Sequence, residues 1–158
     1  MATDNIFAGS ITCAGLTNTG ATVASGGATI TGLRTISSSA TAITAARVLT
    51  ALDSGGVFTV SQATAYQITL PTPTGAGQRY VFQLGTTGAN NVTVVATGCT
   101  FEGTIVNDVA SVLPATGGTF TFVSSTSALG DSIEFISTST TKYFARAISS
   151  ASGGITIA

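Results

Sequence analysis

The chain has 158 residues, 44% of them hydrophobic and only 7% charged, with a formal net charge of −1. That length holds one full domain plus an extension. A charge content far below the roughly 25% of ordinary soluble domains points to a surface of Ser, Thr and small apolar groups or to one covered by other copies, and the second is preferred. The near-zero net charge offers no basic field for nucleic acid, and no apolar run approaches the ~20 residues that cross a membrane.

The first ten residues, MATDNIFAGS, lack the basic head and apolar core of a secretory signal. The chain has no histidine and two cysteines, Cys13 and Cys99. It therefore offers no zinc-ligand cluster and no Ser-His-Asp triad. Buried free thiols are the expectation for the cysteines, with a single disulfide as the alternative. No cofactor, metal or enzymatic activity is expected.

Residues 1–43 read as an N-terminal assembly arm or short fibre-like repeat. Gly9, Gly15, Gly20, Gly26 and Gly32 punctuate short extended pieces: SITCA, LTNT, ATVAS, GATIT and LRTIS. Glycine permits the reversals, and Thr, Val and Ile suit the extended pieces. Each piece offers only one or two large apolar side chains, from the set Ile11, Leu16, Val23, Ile30, Leu33 and Ile36. That is too little to offset a backbone ordering cost of ~1–2 kcal/mol per residue within one chain. These six residues are therefore the candidate assembly contacts, with other copies supplying the missing burial. A flexible Gly/Thr/Ser-rich linker is the alternative. Residues 37–43, SSSATAI, read as a hinge.

Residues 44–158 read as a β-domain. The stretch 40–52 allows a short helix, but an edge strand is preferred, because Asp53-Ser54-Gly55-Gly56 resembles a hairpin turn leading into VFTVS. Strands are expected at VFTVS, at AYQITL with Tyr66, Ile68 and Leu70 on one face, and at RYVFQL with Tyr80, Phe82 and Leu84 on one face. Pro71 and Pro73 break the ladder between the last two. Further strands are expected at 92–96, about 99–106, 109–113, 118–124, Ile133 to Ile136, KYFARAIS and the tail. Many short strands at spacings of about 8–12 residues argue an all-β fold, a β-sandwich or jelly-roll-like domain. The aromatics are expected to fill its core.

No pair of carboxylates among Asp4, Asp53, Glu102, Asp108, Asp131 and Glu134 has a spacing that singles it out for acid/base work. Asp53 and Asp131 sit beside turn residues and are expected to bond the turn backbone. Arg79, Lys142 and Arg146 fall on expected strands. Salt bridges to Glu134 or Glu102 are the first expectation for them, and contacts to another subunit the second.

The segments LTALDSGGVFTV and AYQITLPTPTGAGQRYVFQL, with the later GDSIEFISTSTTKYFARAIS and GGIT, resemble a module of tailed-phage virion proteins. The resemblance covers about residues 44–157 and rests on turn and strand signatures. Where a Trp is expected in the aromatic strand, this chain has Tyr143-Phe144. The resemblance implies a capsid decoration (cement) protein on the outer capsid surface of a virion, with the major capsid protein as partner. A phage fibre or receptor-binding tip is the alternative. The Gly-punctuated segment LTNTGATVASGGATITGL is similar to phage fibre repeats, which implies a homotrimer.

Overall fold

The computed structural model describes residues 40–107 and 112–158. The six candidate assembly contacts, Ile11, Leu16, Val23, Ile30, Leu33 and Ile36, lie outside the described residues, as do Cys13, Asp4 and Asp108. The fold is all-β, two packed sheets in a sandwich. Among the described residues the one helical element is a 3₁₀ turn at Ala51–Asp53.

Sheet A is built from β1 (Thr41–Ile43), β3 (Gly56–Ser61), β5 (Arg79–Thr86), β10 (Ser132–Ser137), β11 (Lys142–Ile148), β7 (Thr100–Val106) and β8 (Val112–Gly117), in that spatial order. Sheet B runs β12 (Ile155–Ile157), β9 (Thr119–Phe122), β6 (Val92–Ala96), β4 (Tyr66–Leu70) and β2 (Arg47–Val48). β1 pairs in parallel with β3, so sheet A draws its first strand from the stretch read as a hinge.

The front half does not fold by hairpins. From β1 to β6 the chain changes sheet at every step, so β1, β3 and β5 stack in parallel in sheet A while β2, β4 and β6 do so in sheet B. The DSGG turn, expected to close a hairpin, instead carries the chain across the sandwich, as does LPTPTG. The physical reason lies in the strands that they join. Phe58 and Val60 of β3 and Ile68 and Leu70 of β4 are all buried, and two apolar faces bury each other best from opposite sheets about 10 Å apart. The expected edge strand at 40–52 is likewise two short strands in different sheets, followed by the 3₁₀ turn.

Alternation decides which side chains enter the core. Tyr80, Phe82 and Leu84 point inward from β5, Ile133 and Phe135 from β10, and Phe120 and Phe122 from β9, all essentially without exposure. Phe135 is the centre of the aromatic packing, with ring centroids 4.8 Å from Phe101, 5.3 Å from Phe120, 5.9 Å from Phe82 and 6.5 Å from Tyr143. Each buried Phe contributes ~1.5–3 kcal/mol by burial, and edge-on pairs add ~0.5–1.5 kcal/mol.

The tyrosine hydroxyls hold the connections in place. Tyr80 donates to the Thr50 carbonyl at 3.1 Å, just before the DSGG turn. Tyr143 donates to the Pro71 carbonyl at 2.8 Å, at the start of LPTPTG. Tyr66 donates to the Ile43 carbonyl at 2.5 Å, between β1 and β2. These three hydroxyls thus fix the crossovers.

Candidate functional site

The two outer faces of the sandwich differ in chemistry. The outer face of sheet B presents Gln67, Thr69, Thr93, Thr119, Thr121 and Thr156 with Val48 and Val95 among them; the charged residue of this sheet, Arg47, shares the register of inward Ile68. Threonine suits an exposed pleat because its branched carbon packs against cross-strand neighbours while its hydroxyl stays solvated. Sheet A presents Arg79, Glu102, Glu134, Lys142 and Arg146, and among them Val81, Ile136, Phe144 and Ile148.

Strand register sets out this face in rows. One row runs Val81, Glu134, Arg146 and Thr104 across β5, β10, β11 and β7. A second runs Arg79, Ile136, Phe144 and Glu102, and a third Gln83, Ser132, Ile148 and Val106. Strand β11 is unusual in how it divides its residues. It turns Tyr143, Ala145 and Ala147 inward and leaves Phe144 44% and Ile148 48% exposed. Beside the buried Tyr143 the small alanines face a core already filled by Phe101 and Phe135, and Phe144 and Ile148 face water. An antiparallel-type sheet with one wet face normally shows the opposite division.

Charges on this face are mostly paired. Arg79 Nε donates to Glu134 Oε1 at 2.5 Å, and Lys142 Nζ pairs with Glu102 Oε1. Both pairs match the salt bridges expected from the sequence. Arg146 stands directly across from Glu134 in the β10–β11 ladder, yet among the described residues its side chain has no ion pair or hydrogen bond. A shallow groove of about 200 Å³ lies beside it, lined by Arg79, Val81, Ser132, Glu134, Arg146 and Ile148.

The other candidate residues are structural. Asp53 closes a capping box on Thr50, accepting from its N–H at 2.8 Å and its Oγ1 at 2.9 Å, and pairs with Arg47 at 2.9 Å. Burial opposes ionisation of its carboxyl, but the Thr50 hydrogen bonds and the Arg47 guanidinium prevail and hold it below its ordinary value. Asp131 is 2% exposed. Its Oδ1 accepts from the N–H and Oγ of Ser150 at 2.8 Å each, and its Oδ2 accepts from Ala128 N–H and Ser149 Oγ at 3.1 Å each. Both aspartates thus bond the turn backbone, as expected. Cys99 is a half-buried free thiol whose pKa is raised by burial.

The outward set on β11 was legible as an alternation, but not as a face. Alternation alone does not say whether the large or the small residues turn inward. The clue is the Ala145-Ala147 pair opposite Phe144 and Ile148, since a strand that buried the bulky set would have to displace the Phe101 cluster. Comparison of the chain with protein-family models, with curated proteins and with solved structures gave no match.

Proposed function

We propose that this protein is a virion structural protein that decorates and stabilises a phage capsid through subunit-bridging contacts. The observation that carries the reading is the outer face of sheet A. It mixes exposed Phe144 and Ile148 with two ion pairs and Arg146, and it is backed by a buried aromatic core. Such a face suits a broad protein partner better than a small ligand, because its grooves are shallow and it offers few convergent polar groups. The turn signatures shared with tailed-phage virion modules point to the same class. A protein that binds the assembled shell and not its free subunits stabilises the shell by mass action.

The parallel winding of β1 to β6 favours a second reading, a trimeric fibre or receptor-binding tip. A chain that coils between two sheets stacks its rungs along one direction, as elongated arrays do. Copy number in purified particles separates the two. Hundreds of copies on the head support decoration, a few at the tail support the fibre, and absence from the particle overturns both.

A further inference from the structure

We infer that Arg146 is the anchor of the sheet A face and that the partner surface seated there presents a carboxylate framed by apolar side chains. The inference rests on the decoration reading and names the chemistry of its contact.

The argument begins with charge. On this face three cations meet two carboxylates, and each carboxylate is engaged by a cation other than Arg146: Glu134 by Arg79, and Glu102 by Lys142. Arg146 is left as the surplus positive charge at the middle of the face. Glu134, its cross-strand neighbour, shares the groove wall with it, so the guanidinium has one acid nearby without a hydrogen bond to it. An incoming carboxylate completes the arrangement as one acid shared among Arg146 and the Arg79–Glu134 pair.

Geometry adds the apolar frame. Phe144 and Ile148 flank Arg146 on the same strand and the same face; Ile136 lies on the neighbouring strand β10, and Val81 one strand further, on β5. Covering these residues removes water from around the guanidinium, which strengthens a carboxylate bond to it. The planar fork of arginine donates to both oxygens of a carboxylate, whereas lysine offers a point charge. Arginine beside aromatic and aliphatic groups at the centre of a patch is the usual composition of an interface hot spot. On sheet B the exposed apolar residue, Val48, sits on the edge strand β2, and the Thr93 row Gln67, Thr93, Thr121 and Thr156 carries no charge, so that row serves as the control.

The experiment uses purified heads stripped of the protein and full-length chain added back, with bound copies measured against free concentration. Wild type is expected to bind. Arg146→Glu is expected to weaken binding by about 30-fold or more, and Arg146→Lys by less, because the charge remains and the fork is lost. Thr93→Glu on sheet B is expected to leave binding unchanged. Heads whose carboxylates have been capped with a carbodiimide and a neutral amine are expected to lose wild-type binding. Thermal unfolding of each variant shows that the sandwich is intact. Wild-type binding that Arg146→Glu leaves unaltered overturns the anchor, and binding retained by capped heads overturns the carboxylate. Failure of the wild type to bind heads at all overturns the decoration reading, and the partner assigned here falls with it.

Discussion

Gly103 of β7 stands directly opposite Ala145 of β11, and a Cβ built on Gly103 overlaps the Ala145 carbonyl. The two strands are parallel neighbours in sheet A. The close approach brings Phe101 and Ile105 inward on one side of Gly103 and seats Tyr143 and Ala147 inward on the other strand. Backbone, not a flexible side chain, is what the added carbon meets. Relief therefore requires the strands to part.

Gly103→Ala is accordingly expected to lower unfolding free energy by about 3 kcal/mol, the upper end of overpacking costs. Denaturant unfolding measures it. A loss below about 1 kcal/mol would show that the β7–β11 pair yields easily and does not hold the aromatic core in place.

Asp131 bears on the other end of β11. Its carboxylate gathers Ala128, Ser149 and Ser150, so the loop before β10 and the residues after β11 are tied at one buried point. Asp131→Ala leaves those donors without an acceptor. The expected cost is about 3 kcal/mol, since a hydrogen bond to a charged group contributes ~1.5–3 kcal/mol and stranded buried donors add to it. Denaturant midpoints compared with the wild type are the measurement, and an unchanged midpoint would reject the tie.

How far the sequence foretells this architecture depends on the level asked about. Strand positions follow from alternation, because Tyr80-Phe82-Leu84 and Phe120-Phe122 have one apolar and one polar side. Strand order does not. Asp53-Ser54-Gly55-Gly56 has the composition of a hairpin turn, yet Asp53 is committed to Thr50 and Arg47, and the Gly55 N–H donates to the Arg79 carbonyl of a strand 24 residues later (79 − 55). Turn composition records that the chain reverses, and not whether the next strand joins the same sheet or the facing one. The same limit applies to the face of Arg146, which is assembled from four strands that only the topology brings side by side.

The Asp53 turn has a pH signature. Its folded carboxyl titrates below its ordinary value of 3.8, so the unfolded chain takes up a proton first as pH falls. The stabilisation is fully present above that ordinary value and is lost as pH drops through the lower folded value. Wild type is therefore expected to exceed Asp53→Asn in stability by about 1 kcal/mol near neutral pH, the usual worth of a cap. The gap should begin to narrow as pH falls below about 4. Equilibrium unfolding of both proteins across pH 3–7 would check this, and a gap independent of pH would place the effect in packing, not charge.

The tyrosines supply the opposite test at high pH. All three are held above their ordinary value of 10.0, each first by burial, with Asp53 adding to the effect at Tyr80, and Tyr80 and Cys99 adding to it at Tyr143. A phenol raised in the folded state keeps its proton while the unfolded chain loses it. The contribution to stability is thus complete below the ordinary value and declines as pH rises toward the folded one. Ionisation also removes the proton that each hydroxyl donates to a crossover carbonyl, at Ile43, Thr50 and Pro71. Tyrosinate absorbance is therefore expected to appear in one cooperative step, well above the ordinary value and together with loss of the β-sheet circular dichroism. The chain has no tryptophan to obscure that signal. Phe substitution at Tyr143 is expected to cost about 1 kcal/mol, as the bond to Pro71 is removed while the ring remains. Ionisation of all three tyrosines at their ordinary value with the sheets intact would show that their hydroxyls are solvated and do not pin the crossovers.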